Sequence, residues 1–256
     1  MVPEWLILVA AGALGAAFGS FLNVCIYRLP RNESLWHPPS TCPACGARIA
    51  WYDNVPIFGW LWLGGRCRRC RATISPQYPI VEALVAALWI AAAWCYGLSW
   101  HGAAAAVLGT ILVGITLTDA RHYIIPHEFT IGGLVLGLGL AVVQGRDALV
   151  TAVIGAAVGF AVLYAIAWLG EKAFKKEAMG GGDIWMMTMV GAFVGWTGVL
   201  LTIFLGAVLG TVFFVPFAWR TGKLVPFGIF LAAGAAVTFV AGDALLAWYL
   251  RTMLGG

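Results

Sequence analysis

Two acidic side chains stand at the ends of apolar runs. Asp119 closes the hydrophobic run Trp100–Thr118, and Asp183 opens the run Ile184–Trp196. A carboxylate at the mouth of a membrane helix is unfavourable enough to mark a functional site by default. Asp183 ends the stretch Glu177-Ala178-Met179-Gly180-Gly181-Gly182-Asp183. Gly180, Gly181 and Gly182 carry no Cβ, so a backbone or a substrate can come close there. Two such carboxylates at one membrane face can hydrolyse a peptide bond. One, ionised, activates water; the other, protonated, donates to the carbonyl oxygen. Like charges a few ångströms apart cannot both ionise cheaply, so the pair shares a proton. The serines at 20, 34, 40, 75 and 99 lack a histidine context suited to a nucleophile.

A second constellation is built from cysteine. Cys42-x-x-Cys45 and Cys67-x-x-Cys70 have the spacing of a four-thiolate zinc site. Disulfides or redox chemistry are the alternatives. With four thiolate ligands no open position is implied, so the metal reads as structural. Arginines at 66, 68, 69 and 71 would favour thiolates beside the second pair. Cys25 and Cys95 lie in apolar runs and read as inert buried residues.

The elements that must position these groups are membrane helices. Of 256 residues, 62% are hydrophobic and 10% charged, against about 25% charged in soluble domains. The mean hydropathy is +0.91. The expected fold is an all-α polytopic membrane protein of about eight transmembrane helices, with a small cytoplasmic zinc-binding insertion between the first two. The divisions are 1–27, a first transmembrane helix; 28–78, the cysteine-rich subdomain; and 79–256, the transmembrane core holding both aspartates. Spans after the first are expected near 79–97, 101–118, 129–144, 148–169, 184–197, 199–217 and 227–249. The 184–197 and 199–217 runs are separated only around Gly195–Gly198, so seven is the alternative count. The first run is preceded by Glu4, has no basic flank and reads as a retained anchor.

Charge sets the orientation. Thirteen of the fifteen Lys and Arg fall in 28–78, 119–128, 170–183 and 218–226, which leaves Arg146 and Arg251. The positive-inside rule then puts both termini outside, and places the cysteine segment, Asp119 and Asp183 at the cytoplasmic face. That compartment is reducing, which favours zinc over disulfides. The small net charge of +4 gives no reason to expect nucleic acid. Gly12, Gly15 and Gly19 read as a helix-packing face, and Asn23 as either structural glue or part of a site. Glu82, Glu128 and Asp243 read as interfacial caps or hydrogen-bond partners, and His122 and His127 as residues of a solvated loop. Competing functions are a proton- or ion-coupled transporter and a non-catalytic zinc-bearing assembly subunit. Against transport, both acids lie at one face and no inverted repeat is visible.

Taken in order, the motifs resemble the type IV prepilin peptidases, bacterial GxGD-type membrane aspartyl proteases. They are Gly19-Ser20-Phe21-Leu22-Asn23-Val24 with Arg28-Leu29-Pro30, the two CxxC pairs, and Tyr78-Pro79-Ile80-Val81-Glu82. Asp119 with Ile125-Pro126, Glu177-x-Met179-Gly180-x-Gly182-Asp183 and Pro226-Phe227-Gly228 follow. The resemblance covers almost the whole chain. It implies cleavage of the short basic leader of prepilins and pseudopilins just after a glycine, at the bacterial inner membrane. It also implies N-methylation of the new amino terminus with S-adenosylmethionine. Asp119 and Asp183 match the family's catalytic aspartates, and Gly65 matches a glycine linked to methylation. Two positions depart from the family pattern: Trp185 stands where a lysine is common, and His127 where an acidic residue is common.

Overall fold

The computed structural model describes residues 3–176, 179–221 and 226–253. Glu177 and Lys223 lie outside them. Two compact units result, Met1–Thr110 and Ile111–Gly256.

The first unit is built on two antiparallel helices. Helix α1, Glu4–Arg28, carries its acid in the first turn and Arg28 in the last, each facing the favourable end of the helix dipole. Helix α3, Gln77–Tyr96, packs along it, with Gly12 against Ile90, Gly15 against Trp89 and Gly19 against Glu82. The glycine row of α1 is thus the packing face expected from its spacing. Asn23 is glue: buried, its Nδ2 donates to the carbonyls of Tyr78 at 3.1 Å and Gly19 at 3.3 Å. Of the two readings for Glu82 the second holds: it is a hydrogen-bond partner, accepting the Ile57 N–H at 2.6 Å, and it is 6% exposed because α3 is pressed onto α1 at that level. Cys95, next to the last residue of α3, is exposed rather than buried.

Between α1 and α3 lies the cysteine segment. Its prolines and glycines leave room only for short elements: turns at Leu29–Arg31 and Trp51–Asn54, and a five-residue helix α2, Phe58–Trp62. Two single β-bridges, Thr41 to Arg48 and Arg66 to Thr73, close the two cysteine loops.

Helix α4 runs Trp100–His122, α5 His127–Gln144, α6 Arg146–Phe174, α7 Gly181–Thr221 and α8 Gly228–Met253. Among the described residues seven helices are long and apolar enough to span a bilayer, against eight expected. The difference lies in α7, which holds both the 184–197 and the 199–217 runs. Its 41 residues would measure roughly 60 Å if straight, twice the hydrocarbon thickness. It is not straight, because Gly195 takes φ 69° and ψ 179°. The first half packs antiparallel to α6, with Gly191 on Gly155 and Met187 on Gly159. The second half packs antiparallel to α8, with Gly198 near Thr238, Thr202 near Gly234 and Gly206 near Leu231. The starts of α7 and α8 both rest on Ile125. The chain therefore leaves that end along the first half of α7 and returns to it along the second. Only a residue without Cβ adopts this φ cheaply, and Gly195 is buried, which irregular backbone at membrane depth requires.

Candidate active site and metal centre

Each aspartate is placed by a helix terminus. Asp119 lies in the last turn of α4 and is 5% exposed. The turn after it is tight: Tyr123, at φ 56°, returns its N–H to the Asp119 carbonyl at 3.0 Å, and Ile125-Pro126 leads into α5. Asp183 is the third residue of α7, its N–H bonded to the Gly180 carbonyl at 3.2 Å. Ile125 is the hub. A Cβ built on Gly182 would meet Ile125 Cβ at 2.9 Å, and one built on Gly228 would meet Ile125 Cδ1 at 2.8 Å and Asp119 Oδ2 at 2.6 Å. Asp119 and Asp183 lie close enough for the charge of one to act on the other.

The environments of the two carboxylates differ. The first N–H groups of α8, those of Gly228 and Ile229, hydrogen-bond to the Asp119 carboxylate, which places a carboxylate at the positive end of a helix. Yet Asp119 Oδ2 and Asp183 Oδ1 are both buried with no hydrogen-bond partner. Buried polar atoms are nearly always satisfied; the Thr202 and Thr238 hydroxyls are also left without a partner, so it is the carboxylate chemistry of this pair that makes it the candidate site. Around Gly181 a Cβ would meet nothing within 4 Å, which leaves space beside the pair. The spacing of the acids could be read in the sequence. The part played by Gly228 could not, since it comes from a residue 109 positions away in the chain. Glu128 and Asp243 are exposed.

Trp185 packs edge-on against His127, with centroids 6.3 Å apart, and against Phe160 at 6.0 Å. The two departures from the family pattern therefore touch. An aromatic pair occupies the place where the pattern would put a lysine beside an acid.

In the first unit the four cysteines converge. Cys42, Cys45, Cys67 and Cys70 present sulfurs within 4.8 Å of one another, and Cys42 Sγ lies 3.8 Å from Cys70 Sγ. Such separations suit a tetrahedral ion with metal–sulfur bonds of about 2.3 Å. The two loops repeat one geometry. The Cys42 N–H donates to the Ala47 carbonyl at 2.9 Å, and the Cys67 N–H to the Ala72 carbonyl at 2.8 Å. The residue after each second cysteine, Gly46 or Arg71, has φ of 67° or 61°. The N–H groups of Cys70 and Arg69 hold the Cys67 thiol down at about 6. Cys70 receives the Ala72 N–H, which favours thiolate, but desolvation and the neighbouring sulfurs push it up to about 11. The four sulfurs together could hold a metal ion. The arginines contribute less than the sequence suggests, since Arg68 is bound to Asp53 through 2.8 and 2.6 Å contacts. Gly65 sits beside this centre at φ 67°, under the ring of Trp60.

The architecture is that of a polytopic helical membrane protein with a carboxylate pair at one end of its second unit and a thiolate centre in its first. Residues 13–96 match the bacterial peptidase A24 N-terminal domain, and residues 106–215 the type IV leader peptidase family. A Myxococcus xanthus prepilin leader peptidase/N-methyltransferase is 39% identical over 83% of this chain and 64% of its own length, so this chain spans under two thirds of that relative. Enzymes of the same name from Aeromonas salmonicida, 33% identical over 98% of this chain and 96% of theirs, and from Xanthomonas campestris, 36% identical over 94% of both, are matched almost throughout. The chain belongs to the type IV leader peptidase family. No solved structure matches it.

Proposed function

We propose that this chain is a membrane aspartyl endopeptidase that cuts the leader from type IV prepilins and pseudopilins after a glycine, at the cytoplasmic face. It then N-methylates the new amino terminus with S-adenosylmethionine. The observation that carries cleavage is the pair of orphaned, buried carboxylate oxygens on Asp119 and Asp183. The name shared by its relatives supports methyl transfer, and the thirteen-to-two charge asymmetry supports the orientation.

The geometry supports a division of roles. Two N–H donors from the start of α8 reach Asp119, which suits it to the part of the base, with Asp183 as the acid. Asp119 removes a proton from water as its oxygen attacks the scissile carbonyl, and Asp183 protonates the carbonyl oxygen. The resulting gem-diol collapses as Asp119 passes its proton to the leaving nitrogen. The C–N bond breaks, and Asp183 recovers its proton from the diol hydroxyl. Both carboxylates end as they began. The open backbone at Gly180 and Gly181 accepts the extended leader junction, while the pilin's apolar helix stays in the bilayer.

Zinc is the metal this reading assigns to Cys42, Cys45, Cys67 and Cys70. Bound there it supplies a structural cross-link, with no ligand position left for catalysis. Purified protein incubated with a prepilin, with and without S-adenosylmethionine, should yield the cleaved and the cleaved-and-methylated products by mass. No cleavage in either arm would overturn the reading. Metal analysis should give about one zinc per chain, and disulfides within either CxxC pair after thiol trapping would exclude that site.

A further inference from the structure

The short helix α2 turns its apolar face outward. Phe58, Leu61 and Trp62 share a face by their i, i+3, i+4 spacing, and Phe58 is 71% and Trp62 83% exposed. Trp51, in the turn before it, is also 83% exposed. Large aromatics on a water-soluble loop are normally buried, and a patch of this kind marks an interaction surface. Its depth is fixed by a hydrogen bond. The Ile57 N–H, one residue before α2, donates to Glu82 Oε2 at 2.6 Å, and Glu82 is the sixth residue of the membrane helix α3. At 1.5 Å per residue that is roughly 8 Å inside the start of α3. Helix α2 is thus tied to a membrane helix about one and a half turns inside its start. The charge also fits: residues 28–78 carry seven arginines against two acids, Glu33 and Asp53, as anionic headgroups favour.

We infer that Trp51, Phe58, Leu61 and Trp62 are embedded in the headgroup region of the bilayer, which makes the cysteine segment an interfacial module rather than an aqueous one. The inference rests on α1 and α3 being membrane spans and is independent of the catalytic assignment. Aromatic rings with one polar edge settle at this depth. Glu82 and Ile57 act as the tether that holds the module down.

The test uses the whole protein in nanodiscs of phosphatidylethanolamine and phosphatidylglycerol carrying a nitroxide either near the headgroups or at the chain ends. The tryptophan emission of wild type minus that of a Trp51→Phe, Trp62→Phe variant isolates these two rings, and the conservative changes keep the fold. The isolated emission should fall with the headgroup-proximal nitroxide, fall less with the chain-end one, and resist aqueous iodide. Emission quenched by iodide and untouched by either lipid nitroxide would overturn the inference. So would lipid quenching that disappears when a cleavage-resistant prepilin is bound, since the face would then belong to the substrate. An active enzyme with iodide-quenched rings would reject the interfacial module and leave the protease reading intact.

Discussion

Glu82 and Asp119 are acids of almost equal burial, 6% and 5% exposed, each on a membrane helix of its own unit. Their surroundings part them. Glu82 accepts the Ile57 N–H and a bond from the Ser20 hydroxyl, so it joins a loop to a helix and has little left to offer. Asp119, with Asp183 beside it, keeps oxygens that nothing in the fold satisfies. Burial does not separate the two acids, and each accepts two bonds; what differs is that Asp119 Oδ2, like Asp183 Oδ1, is left buried without a partner.

The comparison breaks first if the unsatisfied pair proves dispensable. Asp119→Asn and Asp183→Asn should each lower the cleavage rate at least about a hundredfold, with the double variant scarcely worse. Retention of more than about a tenth of wild-type rate by either would reject the pair. Next in size is Gly228→Ala, whose methyl group would meet Asp119 Oδ2 at 2.6 Å. It should cut kcat about tenfold or more, with KM unchanged. Gly132→Ala, with no atom within 4 Å of its new carbon, is the control and should behave as wild type.

A third change probes the other unit. Gly65→Val places a β-branched residue at φ 67°, with its Cβ 2.8 Å from the Trp60 ring. Methyl transfer should be lost while cleavage on the membrane-core carboxylates survives. If both fall together, the change has unfolded the protein and the division of labour is wrong. The smallest effect is expected at Glu82. Glu82→Gln keeps an acceptor for Ile57 and should leave cleavage within a few-fold of wild type. Glu82→Ala strands that N–H and should lower stability by about 1–3 kcal/mol, read as a lower melting temperature at unchanged kcat. Loss of cleavage by Glu82→Gln would place that acid in the chemistry and erase the distinction.

Much of this was legible in the sequence because polar atoms in an apolar chain are conspicuous. The CxxC pairs, the run Gly180–Asp183 and the glycine row of α1 all announce themselves by residue type and spacing. What stayed hidden depends on direction or distance. The sequence places the break between the 184–197 and 199–217 runs around Gly195–Gly198, but only the partners of each half show that the chain doubles back at Gly195. Glu82 reads as an interfacial cap or a hydrogen-bond partner because α3 begins five residues before it, and nothing local reveals that its donor comes from the Ile57 loop. The bonds from the start of α8 to Asp119 join segments separated by more than a hundred positions, with no pattern linking them. Arg68 shows the reverse error, since a charge placed beside the cysteines in sequence is spent on Asp53 in space.

The two cysteine knuckles are each closed by their own backbone bonds, so the proposed ion would not build them; it would join them. Cys45 and Cys67 are 22 positions apart, and tying them together closes a loop whose entropy in the open chain is worth on the order of 3 kcal/mol. That is more than a hundredfold in an equilibrium constant. The order of the whole segment, from the glycine under Trp60 to the aromatic face of α2, is then thermodynamically linked to free metal. Its stability grows with the logarithm of metal concentration above the dissociation constant. On the zinc reading proposed above, a cell short of that metal would loosen this module while the carboxylates of the other unit kept their bonds.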